Sequence, residues 1–189
     1  MVRQFSFKEL PLRGAWLITP FRAADNRGAF VKDWSHEAFV SVGIEHDLAE
    51  VFYTYSHKGV IRALHFQEEK EQPKLVRCVA GRIWDVIVDL RRESPTYRQW
   101  LGFYLEGGTG DELLVPAHFG HGYLVLQDSV VSYKCSERFY SEYDTGIRWN
   151  DPTLSVKWPL EEIGGENSII LSDKDMNLQT FEQWEEKVR

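Results

Sequence analysis

The chain has little cysteine, little methionine and no excess of positive charge. Its two cysteines, Cys78 and Cys135, lie far apart and form no C-x-x-C pair. A disulfide scaffold and a zinc ribbon are thereby excluded, and a reducing cytosol is the expected setting. No run of 18 apolar residues occurs, and the opening MVRQFSFKEL lacks a signal-peptide core. A cytoplasmic protein without membrane contact is expected. Lys and Arg total 22 against 29 Asp and Glu, a net charge of −7. Such a balance argues against a general nucleic-acid binder and leaves room for a local basic pocket that holds one phosphate group. Linkers, low-complexity tracts and internal repeats are missing too, so residues 1–189 read as one domain.

Aromatic residues, by contrast, make up 14% of the chain, which argues against disorder. Short runs of β-branched and aromatic residues recur at 15–19, 74–79, 83–90, 100–105, 112–115, 122–126 and 130–135. Most are too short for helices, and glycines or polar pairs such as Gly81, Gly107-Gly108 and Gln127-Asp128 fall between them. Strands at this spacing predict an all-β sandwich or barrel. Two peripheral helices are predicted. One runs from an N-cap at Ser35 to Val42, the other from Thr180 to Lys187 with Gln183 at the capping-box position.

Three polar clusters stand out. The first holds Arg62, His65 and Gln67, followed by Lys74 and Arg77. On a fully extended strand Arg62 faces away from His65 and Gln67, unless a bulge intervenes. The second is Pro116-Ala-His118-Phe-Gly120-His121-Gly122, which follows Gly110 at the spacing of the second cupin motif, with His118 where glycine is usual. The first cupin motif is half present: Gly59 and His65 fit, but Gln67 takes the second histidine position. His65 and His121, with Glu69 as a third ligand, is the metal alternative, and the reading favours a metal-free site. The third cluster carries Tyr133, whose bland reading is a buried tyrosine with a satisfied hydroxyl. Asp85 and Asp89 share a parity within a hydrophobic strand, so burial beside a partner is expected of both. Asp144, Asp151, Asp173 and Asp175 complete the carboxylate candidates.

In combination these strings resemble the dTDP-4-dehydrorhamnose 3,5-epimerase family. The matching segments are Asp25-Asn-Arg27-Gly28, Gly59 to Gln67, Lys74 to Arg77, Asp85 to Thr96, Pro116 to Tyr123, Tyr133-Lys-Cys135, Trp149-Asn-Asp151-Pro152, Val156-Lys-Trp158 and Leu171 to Asp175, in that order. The resemblance implies a cupin-type jelly-roll β-sandwich, usually a homodimer. It implies a cofactor-free epimerase of a nucleotide-linked 4-keto-6-deoxy sugar. It makes His65 the base, Asp175 its orienting carboxylate, Tyr133 the acid on the opposite face of the ring and Lys74 the enolate stabiliser. Arg27, Arg62, His121 and Lys174 match positions that bind nucleotide diphosphate or sugar, and Phe139 falls where a tyrosine stacks on the base. Asp144 is grouped with the substrate-binding residues. The chemistry suits these residue types: a C4 ketone acidifies C3 and C5, histidine has a pKa near 6.5, and an enolate oxygen needs a cation or a donor.

The departures from the family pattern gather in the expected pocket. Lys32 stands where the family usually has glutamate, and Glu50 and Phe52 replace a Gln-x-Asn pair. Ala63 replaces a glycine and Phe139 a tyrosine. A changed pocket around unchanged His65, Lys74, Tyr133 and Asp175 predicts the same reaction on another sugar, on a CDP- or GDP-linked substrate rather than a dTDP-linked one, or at one carbon only. The competing classes are a metal-dependent cupin isomerase or dioxygenase and a non-catalytic sugar-nucleotide-binding cupin.

Overall fold

Two long strands organise the molecule. The computed structural model describes residues 1–108 and 110–188. Its strands are β1 (Val2–Arg3), β2 (Ser6–Glu9), β3 (Trp16–Thr19), β4 (Phe21–Asp25), β5 (Gly28–Lys32), β6 (Glu50–Ser56), β7 (Ile61–Gln67), β8 (Lys74–Asp89), β9 (Trp100–Glu106), β10 (Glu112–Val115), β11 (Phe119–Cys135) and β12 (Asp144–Gly146). The α-helices are α1 (His36–Val40), α2 (Asp173–Met176) and α3 (Phe181–Lys187).

Strands β8 and β11 pair antiparallel along nearly their whole length and belong to both layers of a sandwich. The first half of β8 pairs with β10, and the corresponding half of β11 pairs with β6. This gives one layer in the order β2-β3-β10-β8-β11-β6. The second half of β8 pairs with β9, and the first half of β11 pairs with β7. The other layer therefore runs β9-β8-β11-β7-β12. This is a cupin-type β-sandwich, as the sequence predicts. The hairpin β4–β5 lies apart, in a three-stranded sheet with β1.

The sequence reading divides β8 at Gly81 and β11 at Gln127-Asp128, whereas the structure carries both strands through. Gly81 has φ +81° and the register slips near Gln127 and Val130, so the strands bend without losing their partner. Between the layers lies a core of Val76, Cys78, Ile83, Ile87, Leu105, Leu113, Tyr123, Val125, Val131 and Tyr133. A second cluster covers the outer face of the β7 layer, where Phe181 and Trp184 of α3 meet Phe66, Leu124 and Ile147.

Helix α3 has the predicted capping box: the Gln183 amide N–H donates to Thr180 Oγ1 and the Thr180 N–H donates to Gln183 Oε1. Helix α1 is shorter than predicted, and Ser35 caps it in backbone conformation only, with no side-chain bond. Helix α2 is too short for periodicity to predict.

Candidate active site

A bulge builds the site. Opposite His121 and Tyr123 of β11, two residues apart, stand His65 and Arg62 of β7, three residues apart. The extra residue on β7 turns Arg62 to the same side as His65, against the simple alternation of an extended strand. Gly122 makes room: a Cβ there would lie 2.5 Å from that of Ala63.

Both side chains face a cavity of about 450 Å³ at the open end of the sandwich. Every residue that the family resemblance places in the catalytic or substrate-binding pocket lines it except Arg27 and Lys32: His65, Tyr133, Asp175, Lys74, Glu50, Phe52, Arg62, His121, Phe139, Asp144 and Lys174. Sequence reasoning missed Thr54, Phe66, Gln72 and Ser172 on the same walls. Parity with Glu50 and Phe52 along β6 was the signal for Thr54, and the Ser-x-x-Asp cap pattern was the signal for Ser172.

His65 Nε2 meets Asp175 Oδ1 at 2.6 Å. Asp175 is buried, and Ser172 donates to its Oδ2 at 2.6 Å while accepting from its backbone N–H. Burial pushes the Asp175 carboxyl up, but the bonds from His65 and Ser172 outweigh it and hold its pKa below the ordinary value. A carboxylate so fixed sets the histidine's tautomer and steadies its imidazolium.

Across from His65, in the other layer, Tyr133 is walled by aromatic rings. Phe52 stacks on it with centroids 4.8 Å apart and planes within 14°, and the His121 ring lies edge-on at 5.9 Å. Burial, then the neighbouring Tyr123 and Asp85, push the Tyr133 hydroxyl well above the usual phenol range. His121 is itself held by both oxygens of the fully buried Asp85, each 3.0 Å from Nε2. Burial pushes the Asp85 carboxyl up, partly offset by His121.

Lys74 begins β8 and donates to the Gln72 carbonyl at 3.1 Å. Burial lowers its pKa, against the pull of Cys135, Asp144 and Glu71. The cavity thus offers a carboxylate-bound imidazole, a protonated phenol and an ammonium group: a proton acceptor, a proton donor and a cation. Arg62 adds a second cation, steadied by Ser56 at 3.2 Å, and Lys174 pairs with Asp144. Near the mouth, the half-exposed Phe139 ring is anchored through its backbone N–H to Glu50 Oε2 at 3.1 Å.

Gln67, at the second histidine position of the cupin motif, is fully engaged by backbone. Its Nε2 donates to the carbonyls of Lys70 and Arg138, and its Oε1 accepts from the Tyr140 N–H. Glu69, the third ligand of the metal alternative, is exposed in the turn beyond β7. Among the described residues, no three of His, Cys, Asp and Glu stand together as a metal-holding group. The metal trio therefore does not assemble. His118 has φ +61°, which is why glycine suits that position, and its side chain pairs with Glu71.

Arg27 and Lys32 lie elsewhere. Arg27 is exposed at the tip of the β4–β5 hairpin and pairs with Asp25 at 2.7 Å, and Lys32 lies 5.6 Å from the Phe21 ring.

The model of the dTDP-4-dehydrorhamnose 3,5-epimerase family matches residues 9–183. The chain belongs to this family. It is 42% identical over 175 residues to the dTDP-4-dehydrorhamnose 3,5-epimerase of Methanothermobacter thermautotrophicus, covering 92% of this chain and 93% of that one. The crystal structure of the Bacillus anthracis epimerase, with TDP and PPi bound, superimposes with a TM-score of 0.88 at 37% identity, covering 94% of this chain and 100% of that one. ChmJ, a 3'-monoepimerase from Streptomyces bikiniensis in complex with dTDP-quinovose, does so with a TM-score of 0.86 at 30% identity, covering 95% and 90%. The relatives of this epimerase family member thus include enzymes that act at two carbons and one that acts at a single carbon.

Proposed function

We propose that the protein is an isomerase that epimerises a nucleotide-linked 4-keto-6-deoxy sugar at C3, C5 or both, in deoxysugar or cell-surface polysaccharide biosynthesis. The observation that carries this reading is the opposition of His65, bound to Asp175, and Tyr133 in facing layers of one cavity, with Lys74 on its wall. His65 removes the proton beside the ketone, and Asp175 stabilises the imidazolium that forms. Lys74 neutralises the enolate oxygen, and Tyr133 returns a proton to the other face. A binding module has no need of a base and an acid on opposite walls. Arg62, His121 and Lys174 hold the diphosphate and sugar, with Asp144 positioning Lys174, and Phe139 stacks on the base. Glu50 and Phe52 bias the pocket away from the family's usual substrate, toward another sugar, a CDP- or GDP-linked one, or a single carbon. The buried free thiols Cys78 and Cys135 suit a cytoplasmic enzyme.

Incubation in D2O with dTDP-, CDP- and GDP-linked 4-keto-6-deoxy sugars tests the reading. Deuterium entering C3 or C5, and lost in His65→Ala, supports it. No exchange with any of the three sinks it.

Arg27 and Lys32 enter the reading through a homodimer in which a second copy brings its β4–β5 hairpin to this pocket. Support comes from Val51, Tyr53 and Tyr55, which turn large apolar or aromatic side chains outward along β6 at 48%, 56% and 77% exposure. Mixing inactive Arg27→Ala with inactive His65→Ala protomers then restores activity, because each mixed dimer keeps one intact site. A monomeric mass by light scattering, or no restoration, removes the dimer from the reading.

A further inference from the structure

The ring of the acid is fixed by its neighbours in the sheet. On β11, Tyr133 stands directly opposite Val76 of β8 on one side and Phe52 of β6 on the other, so the three side chains form one row across the inner face of their layer. Val76 is fully buried and Tyr133 is 6% exposed. Phe52 closes the row: β6 is the last strand of its layer, and the Phe52 ring lines the cavity while packing against the core. The Phe52 and Tyr133 rings are parallel within 14° with centroids 4.8 Å apart, a stacked pair. His121 meets the Tyr133 ring edge-on from a third side at 5.9 Å.

Such a row has one weak flank. Val76 cannot yield, because it belongs to the close-packed core between the layers. His121 cannot yield, because both oxygens of buried Asp85 hold its Nε2. The flank at Phe52 borders open space. With a smaller or non-planar side chain there, the Tyr133 ring is free to lean toward the cavity, and the hydroxyl, at the far end of the ring, moves most. Proton transfer to carbon needs the reacting atoms close and aligned, and it falls steeply with misplacement.

We propose that Phe52 is a positioning residue for the acid, stacking on Tyr133 so that its hydroxyl stays aimed at the carbon that His65 has deprotonated. This inference rests on the epimerase reading and deepens it, because the residue that departs from the family pattern at this point acts on the acid as well as on the ligand. The asparagine of that pattern offers an amide to a ligand but no ring to the tyrosine.

Phe52→Leu keeps an apolar side chain and removes the stack. With whichever of the dTDP-, CDP- and GDP-linked 4-keto-6-deoxy sugars the unmodified enzyme exchanges in D2O, two rates are read by NMR: deuterium entering with retention, which needs His65 alone, and inversion, which needs Tyr133. The expected result is a fall of about 10-fold in the ratio of inversion to retention. Phe52→Tyr, which restores a flat ring, should recover most of that ratio. Phe52→Met carries the test if Phe52→Leu does not fold by near-UV circular dichroism. An unchanged ratio, equal loss of both rates, a loss confined to KM, or failure of Phe52→Tyr to recover the ratio overturns the positioning role and leaves the epimerase reading intact. Absence of exchange by the unmodified enzyme overturns that reading and this inference with it.

Discussion

Asp175 reaches His65 Nε2 at 2.6 Å from 110 residues further along the chain. The bond joins strand β7 to the four-residue helix α2, whose N-cap Ser172 holds the other carboxylate oxygen. Asp175→Asn keeps the shape and loses the charge that stabilises an imidazolium. We expect kcat to fall by about 10²- to 10⁴-fold with KM changed little. Steady-state kinetics check this, and a variant whose loss lies mainly in KM would mean that Asp175 binds substrate instead.

Asp89 carries a stability effect away from the cavity. It is fully buried and accepts bonds from Arg91, Ser94 and Thr96. Burial pushes its carboxyl up, but these bonds prevail and hold its pKa at about 2 against an ordinary 3.8. The folded value is the lower one, so ionised Asp89 stabilises the fold above pH about 4, and the contribution fades as pH falls toward about 2. Its size is on the order of 2 kcal/mol. Urea denaturation of the unmodified protein and Asp89→Asn should therefore differ clearly at pH 6 and roughly half as much at pH 3. A difference independent of pH would mean that the carboxylate's charge is not what matters.

The fold was legible because apolar runs and turn residues alternate at strand spacing, and because Thr180 and Gln183 spell a capping box. Continuity across Gly81 was not legible, since a glycine with positive φ bends a strand or ends it with equal ease. At the site, His65, Tyr133 and Lys74 are marked by local strings. The alignment of Arg62 with His65 depends on a bulge, which periodicity of two cannot foresee. Arg27 and Lys32 show the same limit from the other side, for sequence strings do not tell which sheet a hairpin joins.

Lys74 sets a testable pH limit. Burial lowers its pKa below 10.5, and the nearby Cys135, Asp144 and Glu71 oppose that only in part. The ammonium form is the one that stabilises an enolate, so activity should fall as pH rises through this lowered value. Tyr133, held well above 10, does not titrate first. Lys74→Arg should move the alkaline limb of the kcat profile upward, because a guanidinium stays charged, at a lower plateau. A limb that stays where it was would assign it to another group.

Gln67 ties the first cupin string to the loop that carries Phe139. It bonds the carbonyls of Lys70 and Arg138 and the N–H of Tyr140, all from a nearly buried amide. Gln67→Ala leaves those backbone groups unpaired, each at about 1–3 kcal/mol where water does not replace the amide. We expect a fall in stability of about 2–4 kcal/mol in urea denaturation. The freed loop should also raise KM for the nucleotide-linked sugar more than it lowers kcat, since Phe139 sits at the mouth while His65 and Tyr133 keep their own supports. A loss confined to kcat would instead give Gln67 a part in the chemistry, and its backbone bonds would then be incidental to its role.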